Sequence, residues 1–129
     1  MGLDNQRLAM LLAVVNRHAG FSLYDQDVFV NVIGGVKVHE PAADLAIVLS
    51  VLSSFKNRKL DSGLAVFGEV GLTGEIRPVQ RGLDRIREVE KLGFTRLIMP
   101  KGNQSGVKSS KLEIIAVTTL DQAIRAAFE

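Results

Sequence analysis

Apolar residues recur along the chain with two different periods. Leu8, Leu11, Leu12 and Val15 fall at helical spacing behind Asp4, a candidate cap, and Gly20 follows as a stop. From Asp27 to Ile33 the run is rich in β-branched residues, with Val28, Val30 and Val32 on one side and Phe29, Asn31 and Ile33 on the other. This predicts a strand, broken or bulged at Gly34-Gly35 and resumed at Val36 to Val38. Pro41 then opens a second helix, where its missing N–H does no harm. From Ala42 to Phe55 that helix is apolar nearly all round, which predicts an interior position.

The second half alternates in the same way. Leu64 to Val70 predicts a short strand, Gly71 and Gly74 bracket a tight turn, and Glu75 to Val79 predicts the hairpin partner. Leu83, Ile86, Val89 and Leu92 predict one face of a third helix closed by Gly93. Arg96 to Met99 predicts a strand ended by Pro100, and Lys101 to Lys111 a polar loop. Leu112 to Val117 predicts the last strand, and Thr119 or Asp121 can cap a final helix carrying Leu120, Ala123, Ile124 and Ala127. The alternation implies one α/β (α+β) domain over residues 1–129, without linkers or internal repeats.

Composition narrows the chemistry. With 47% apolar residues, 129 residues can bury a core without staples. There is no cysteine, which excludes disulfides, thiolate metal sites and a cysteine nucleophile, and fits a reducing cytoplasm. No apolar run approaches the roughly 20 residues that span a bilayer, and no signal peptide is visible. The formal charge is only +2, so any nucleic-acid contact must come from a local patch. One tyrosine and no tryptophan supply little base stacking. A Walker loop is absent, and Gly68 to Glu75 lies in a strand-to-strand turn where a dinucleotide fingerprint needs a strand-to-helix turn. His18 and His39 have no neighbours at metal-ligand spacing, and Asp25 and Asp27 read as turn-edge residues before an acid–base pair.

Several ordered motifs carry a family resemblance. "QDVFVNVIGGVKVHEPAADLA", "VFGEVGLTGEIRPV" and "GFTRLIMPKGN" resemble the proteolytic domain of Lon, and most closely the Lon-like domain at the C-terminus of the RadA recombination proteins. The resemblance runs from the first strand to Asn103 and implies a two-layer fold like that of ribosomal protein S5 domain 2. Active Lon-type proteases use a serine–lysine dyad, in which a neutral lysine takes the serine proton. The family serine position falls on Ala42, and gapless counting from Val79 puts the lysine position at Leu83, with Gly82 or Asp84 one residue away. Neither half of the dyad is present, so peptidase chemistry by this route is not expected. Glu40 and Asp44 replace the glycines flanking the family serine, which puts the peptide groove in doubt. Ser53 and Lys56 could share a helix face, but a lysine at a polar helix end should stay protonated.

The basic residues form three groups. Lys56, Arg58 and Lys59 cluster at a helix exit with no acid until Asp61, and three exposed cations there can hold phosphates without reading bases. Arg77, Arg81, Arg85 and Arg87 lie on or before the third helix, where Asp84, Glu88 and Glu90 can pair with them. Lys101, Lys108 and Lys111 populate the late loop. Lys56, Arg58, Lys59, Arg77, Arg81 and Arg85 are the candidate DNA contacts, with no catalytic residue and no metal site expected. The resemblance implies a domain excised from a longer, cytoplasmic DNA-dependent ATPase. ATP, Mg and Zn would bind upstream, and this domain would scaffold a hexameric ring and help hold DNA during recombination and branch migration. An active Ser–Lys peptidase is the alternative, and a small-ligand enzyme using the Gly68–Gly74 turn a further one.

Overall fold

The computed structural model describes residues 9–11, 13–14, 41–104 and 111–128. The strand expected over residues 27–38, both histidines, Asp25, Asp27, Glu40 and Lys108 lie outside the described residues. Residues 9–11 and 13–14 are helical, with Leu11 and Val14 buried. A 3-10 turn at Pro41–Ala43 runs into α1, Asp44–Lys56. Leu45, Ile47, Val48, Leu49, Val51 and Leu52 of α1 are all buried. The exposed Ser50 sits on its narrow open stripe and donates to the Ala46 carbonyl. This is the interior helix that the apolar run predicts.

Three parallel strands form the main sheet: β1 (Leu64–Val66), β4 (Arg96–Pro100) and β5 (Glu113–Val117), with β4 central. The register pairs Val66 with Ile98 and Ile98 with Ile115. Period-2 alternation divides the side chains between two cores. Leu64, Val66, Ile98, Ile115 and Val117 pack with α1 and with α3, Leu120–Phe128. Ala65, Phe67, Leu97, Met99 and Ile114 pack with Ile86 and Val89 of α2, Gly82–Lys91. A parallel sheet needs both faces covered, and the described helices cover both. The structure is of the α/β class expected from the sequence.

The expected strand from Leu64 to Val70 is divided. Gly68 adopts φ 154°, and a Cβ there would crowd Ile76, Pro100 and Leu45. Past this break, β2 (Glu69–Val70) leaves the sheet and pairs antiparallel with β3 (Ile76–Arg77), as the hairpin motif predicts. The hairpin tip is tied to the start of α3, since the Leu120 N–H donates to the Gly74 carbonyl at 2.8 Å. Thr119, not Asp121, caps α3: its hydroxyl accepts the Gln122 N–H at 3.2 Å, and the Gln122 side chain accepts the Thr118 N–H at 2.8 Å. The predicted apolar face of α2 is narrower than expected. Ile86 is buried, but Leu83 is 41% and Leu92 65% exposed. At 100° per residue, both lie about a quarter turn from the Gly82–Ile86–Val89 stripe that meets the sheet.

Candidate functional site

The break at Gly68 brings the hairpin against the N-terminal end of α1. The Gly68 N–H donates to the Ala42 carbonyl at 2.8 Å, and the Leu45 N–H to the Gly68 carbonyl at 3.1 Å. Asp44 is fully buried, and its Oδ2 accepts the Val70 N–H at 3.1 Å. The sequence marks Asp44 as an intrusion into a peptide groove. The structure instead places it beneath the hairpin as a docking post, where a carboxylate also suits the positive end of a helix.

A cavity of about 390 Å³ opens beside this junction, lined by Pro41, Ala42, Glu69, Pro78, Val79, Gln80 and Arg85. Ala42 is 4% exposed and presents only a methyl group. Leu83, the expected counterpart of the family lysine, is not part of the lining. The wall from Pro78 to Gln80 is held by Asn103. Its Oδ1 accepts the Val79 N–H and its Nδ2 donates to the Val79 carbonyl, both at 2.9 Å. Gly82 makes room for this amide, because a Cβ there would lie 2.6 Å from Asn103 Nδ2. Arg85 Nε donates to the Gln80 carbonyl at 3.0 Å. Sequence reasoning missed Asn103, Glu69 and the seat of Asp44. The "MPKGN" and "RPV" motifs contained the pieces, but nothing in their spacing says that one clamps the other.

The candidate DNA contacts do not converge on one patch. Lys56, Arg58 and Lys59 follow the C-terminal end of α1, and Arg85 stands at its N-terminal end. Thirteen helical residues separate the two ends by about 20 Å. Arg58 is partly committed to structure: its Nη2 donates to the Phe128 carbonyl at 2.6 Å, and its guanidinium lies 5.8 Å from the Phe128 ring centroid. Lys56 Nζ lies 5.0 Å from the same centroid. Ser53 Oγ donates to the Arg58 carbonyl, which leaves its proton with the backbone and not with a lysine amine. Lys59 is exposed, and no hydrogen bond or ion pair to another described residue engages it.

The other group is largely paired. Arg77 forms an ion pair with Glu75 at 2.9 Å. Asp84 meets Arg81 at 3.2 Å and Arg87 at 3.8 Å, as the spacing of three predicts. Bonds from the Thr73 hydroxyl, the hairpin backbone and Arg77 hold the Glu75 carboxyl down to about 2, against an ordinary value of 4.5. Among the described residues no group of three or more acidic or histidine side chains could hold a metal ion. No described helix is long and apolar enough to cross a membrane.

The family model described as subunit ChlI of Mg-chelatase matches residues 5–103, and the chain belongs to that family. Among curated proteins it is similar to the DNA repair protein RadA of Pseudomonas aeruginosa, 57% identical over 129 residues, which are 100% of this chain and 28% of that protein. It is 52% identical to the DNA repair protein RadA of Haemophilus influenzae, over 96% of this chain and 27% of that protein. The same-named protein of Bacillus subtilis is 43% identical over 98% of this chain and 28% of its own length. The chain thus spans a little over a quarter of these relatives, and they carry the RadA name that the sequence motifs suggested.

Proposed function

We propose that this chain is a single, non-catalytic Lon-like domain of a RadA-type DNA repair ATPase. It scaffolds a hexameric ring and adds DNA contacts during homologous recombination and branch migration. The nucleotide, Mg and Zn sites belong to segments upstream of this domain, and the whole protein works in the cytoplasm. The observation that carries the reading is the cavity beside α1. A methyl group stands where the family serine would be, and Leu83 is outside the lining. A hydrocarbon cannot attack a carbonyl, so the scaffold is left with binding and assembly. The similarity to proteins named DNA repair protein RadA supports the DNA role. The cations at the α1 exit supply sequence-independent phosphate contact, and repetition around a ring multiplies weak contacts.

A fluorogenic-peptide assay on the purified chain tests the reading. No turnover above buffer is expected. Turnover that survives both Ser53→Ala and Lys56→Ala would defeat it and demand a different nucleophile. Light scattering tests assembly, with a species near six subunits expected for the ring.

A further inference from the structure

The C-terminal ends of α1, α2 and α3 gather at the end of the sheet where β1, β4 and β5 begin. The register sets Leu64, Arg96 and Glu113 level there. Arg96 ties this end together. It meets Asp61 before β1 at 3.7 Å and Glu113 of β5 at 3.4 Å, and its Nη2 donates to the Ala126 carbonyl of α3 at 3.4 Å. Arg58 caps the same helix through the Phe128 carbonyl. Asp61 and Glu113 are thus taken up by one guanidinium, and the last carbonyls of α3 by two. The lysines around them are not taken up. Lys59 follows α1, Lys91 ends α2, and Lys111 stands just before β5. Each is exposed, and no hydrogen bond or ion pair to another described residue engages it. Glu88 and Glu90, on the same helix, are the acids nearest to Lys91 in the chain. A lysine in a last turn can balance the negative end of its own helix, as Lys91 does in part. Lys59 lies beyond the end of α1 and Lys111 outside every described helix, so that balance explains neither.

We propose that the backbone of a DNA duplex lies across this end of the sheet, with Lys59, Lys91 and Lys111 each holding a phosphate. The inference rests on the DNA reading and extends its footprint from the α1 exit to two lysines outside the candidate contacts. Adjacent strands lie ~4.8 Å apart, so β1 and β5 begin about 10 Å apart on either side of β4. That span is comparable with the ~12 Å major groove, which lets Lys59 and Lys111 reach phosphates on its two sides. Lysine suits the task as a mobile point charge that asks for no particular base. The opposite end of the sheet offers less free charge, since Arg77 is paired with Glu75 and Arg81 with Asp84. Three such contacts give weak binding with a log–log salt slope of about −2.7.

The test is fluorescence anisotropy of two labelled duplexes of unrelated sequence, over a salt series, with Lys59→Gln, Lys91→Gln and Lys111→Gln. Lys101→Gln, the same change of charge beyond the far end of β4, is the control. Lys91→Gln and Lys111→Gln should each weaken both duplexes on the order of tenfold at about 50 mM salt and make the slope shallower by about 0.9. Lys101→Gln should do neither. A loss with Lys59→Gln while Lys91→Gln and Lys111→Gln stay silent would overturn the extended footprint and leave the α1-exit contact standing. No salt-dependent binding by the unaltered chain would overturn both, and an equal loss with Lys101→Gln would reduce the effect to bulk charge and overturn the site. Acetylation of the unaltered chain with and without duplex, read by mass spectrometry, needs no variant: Lys59, Lys91 and Lys111 should be protected and Lys101 should not. Equal protection by poly-L-glutamate at the same charge concentration would point to an acidic protein as the partner and overturn the proposal.

Discussion

Replacing Gly82 by alanine should destabilise this domain, and the same replacement should cost nothing once Asn103 is gone. Gly82 opens α2, and its backbone φ is not positive, so alanine suits the local conformation. On helix propensity alone, Gly→Ala would stabilise by up to about 1 kcal/mol, less at a terminus. The obstacle is Asn103 Nδ2, only 2.6 Å from the new Cβ. To make room the amide must leave Val79, losing two hydrogen bonds of 2.9 Å. Each contributes about 0.5–1.5 kcal/mol net, and groups left unsatisfied cost somewhat more. Gly82→Ala should therefore cost about 1–2 kcal/mol, and Asn103→Ala about 2 kcal/mol. In the double variant the cost of the alanine disappears, giving a coupling of about 1–2 kcal/mol. Urea unfolding followed by circular dichroism measures it, with the midpoint moving and the slope constant. Additive losses, with coupling below about 0.5 kcal/mol, would refute the clamp as the reason for glycine at this position.

Two further consequences concern other parts of the chain. Arg58→Met removes a charged donor from the last carbonyl of α3 and should cost about 1–2 kcal/mol in the same urea assay, whereas Lys59→Met should change stability by less than about 0.5 kcal/mol. Glu75 has its folded pKa depressed. Its stabilising contribution is thus complete above the ordinary glutamate value of 4.5 and is lost as pH falls toward about 2. Side-chain carboxyl NMR should place its midpoint well below the ordinary glutamate value of 4.5, and Thr73→Ala should raise it, because the threonine hydroxyl is the largest cause.

The period of the apolar positions made the fold class legible. Interior α1 showed as a run apolar on nearly every side, and β4 and β5 as short apolar stretches, because burial on two faces leaves no polar stripe. Boundaries set by tertiary contact were not legible. The division at Gly68 follows from a close approach to Ile76, Pro100 and Leu45, residues far apart in the chain. The exposure of Leu83 follows from how α2 is rotated on the sheet, which periodicity alone leaves open by a quarter turn. At the site, the alanine side chain of Ala42 is legible from the sequence alone, whereas its neighbours in the cavity are not. Arg58 was read as a free cation because its partner, the Phe128 carbonyl, lies 70 residues away. A backbone acceptor at that distance leaves no signature in sequence.

The most direct test of the proposed role is duplex-DNA binding by this chain, measured by fluorescence anisotropy across a salt series, with Lys59→Glu compared against the unaltered protein. The account predicts weaker binding to every duplex sequence and a log–log salt slope shallower by about 0.9 for the lost phosphate contact. Unchanged affinity and slope at intact stability would contradict the placement of DNA at the α1 exit.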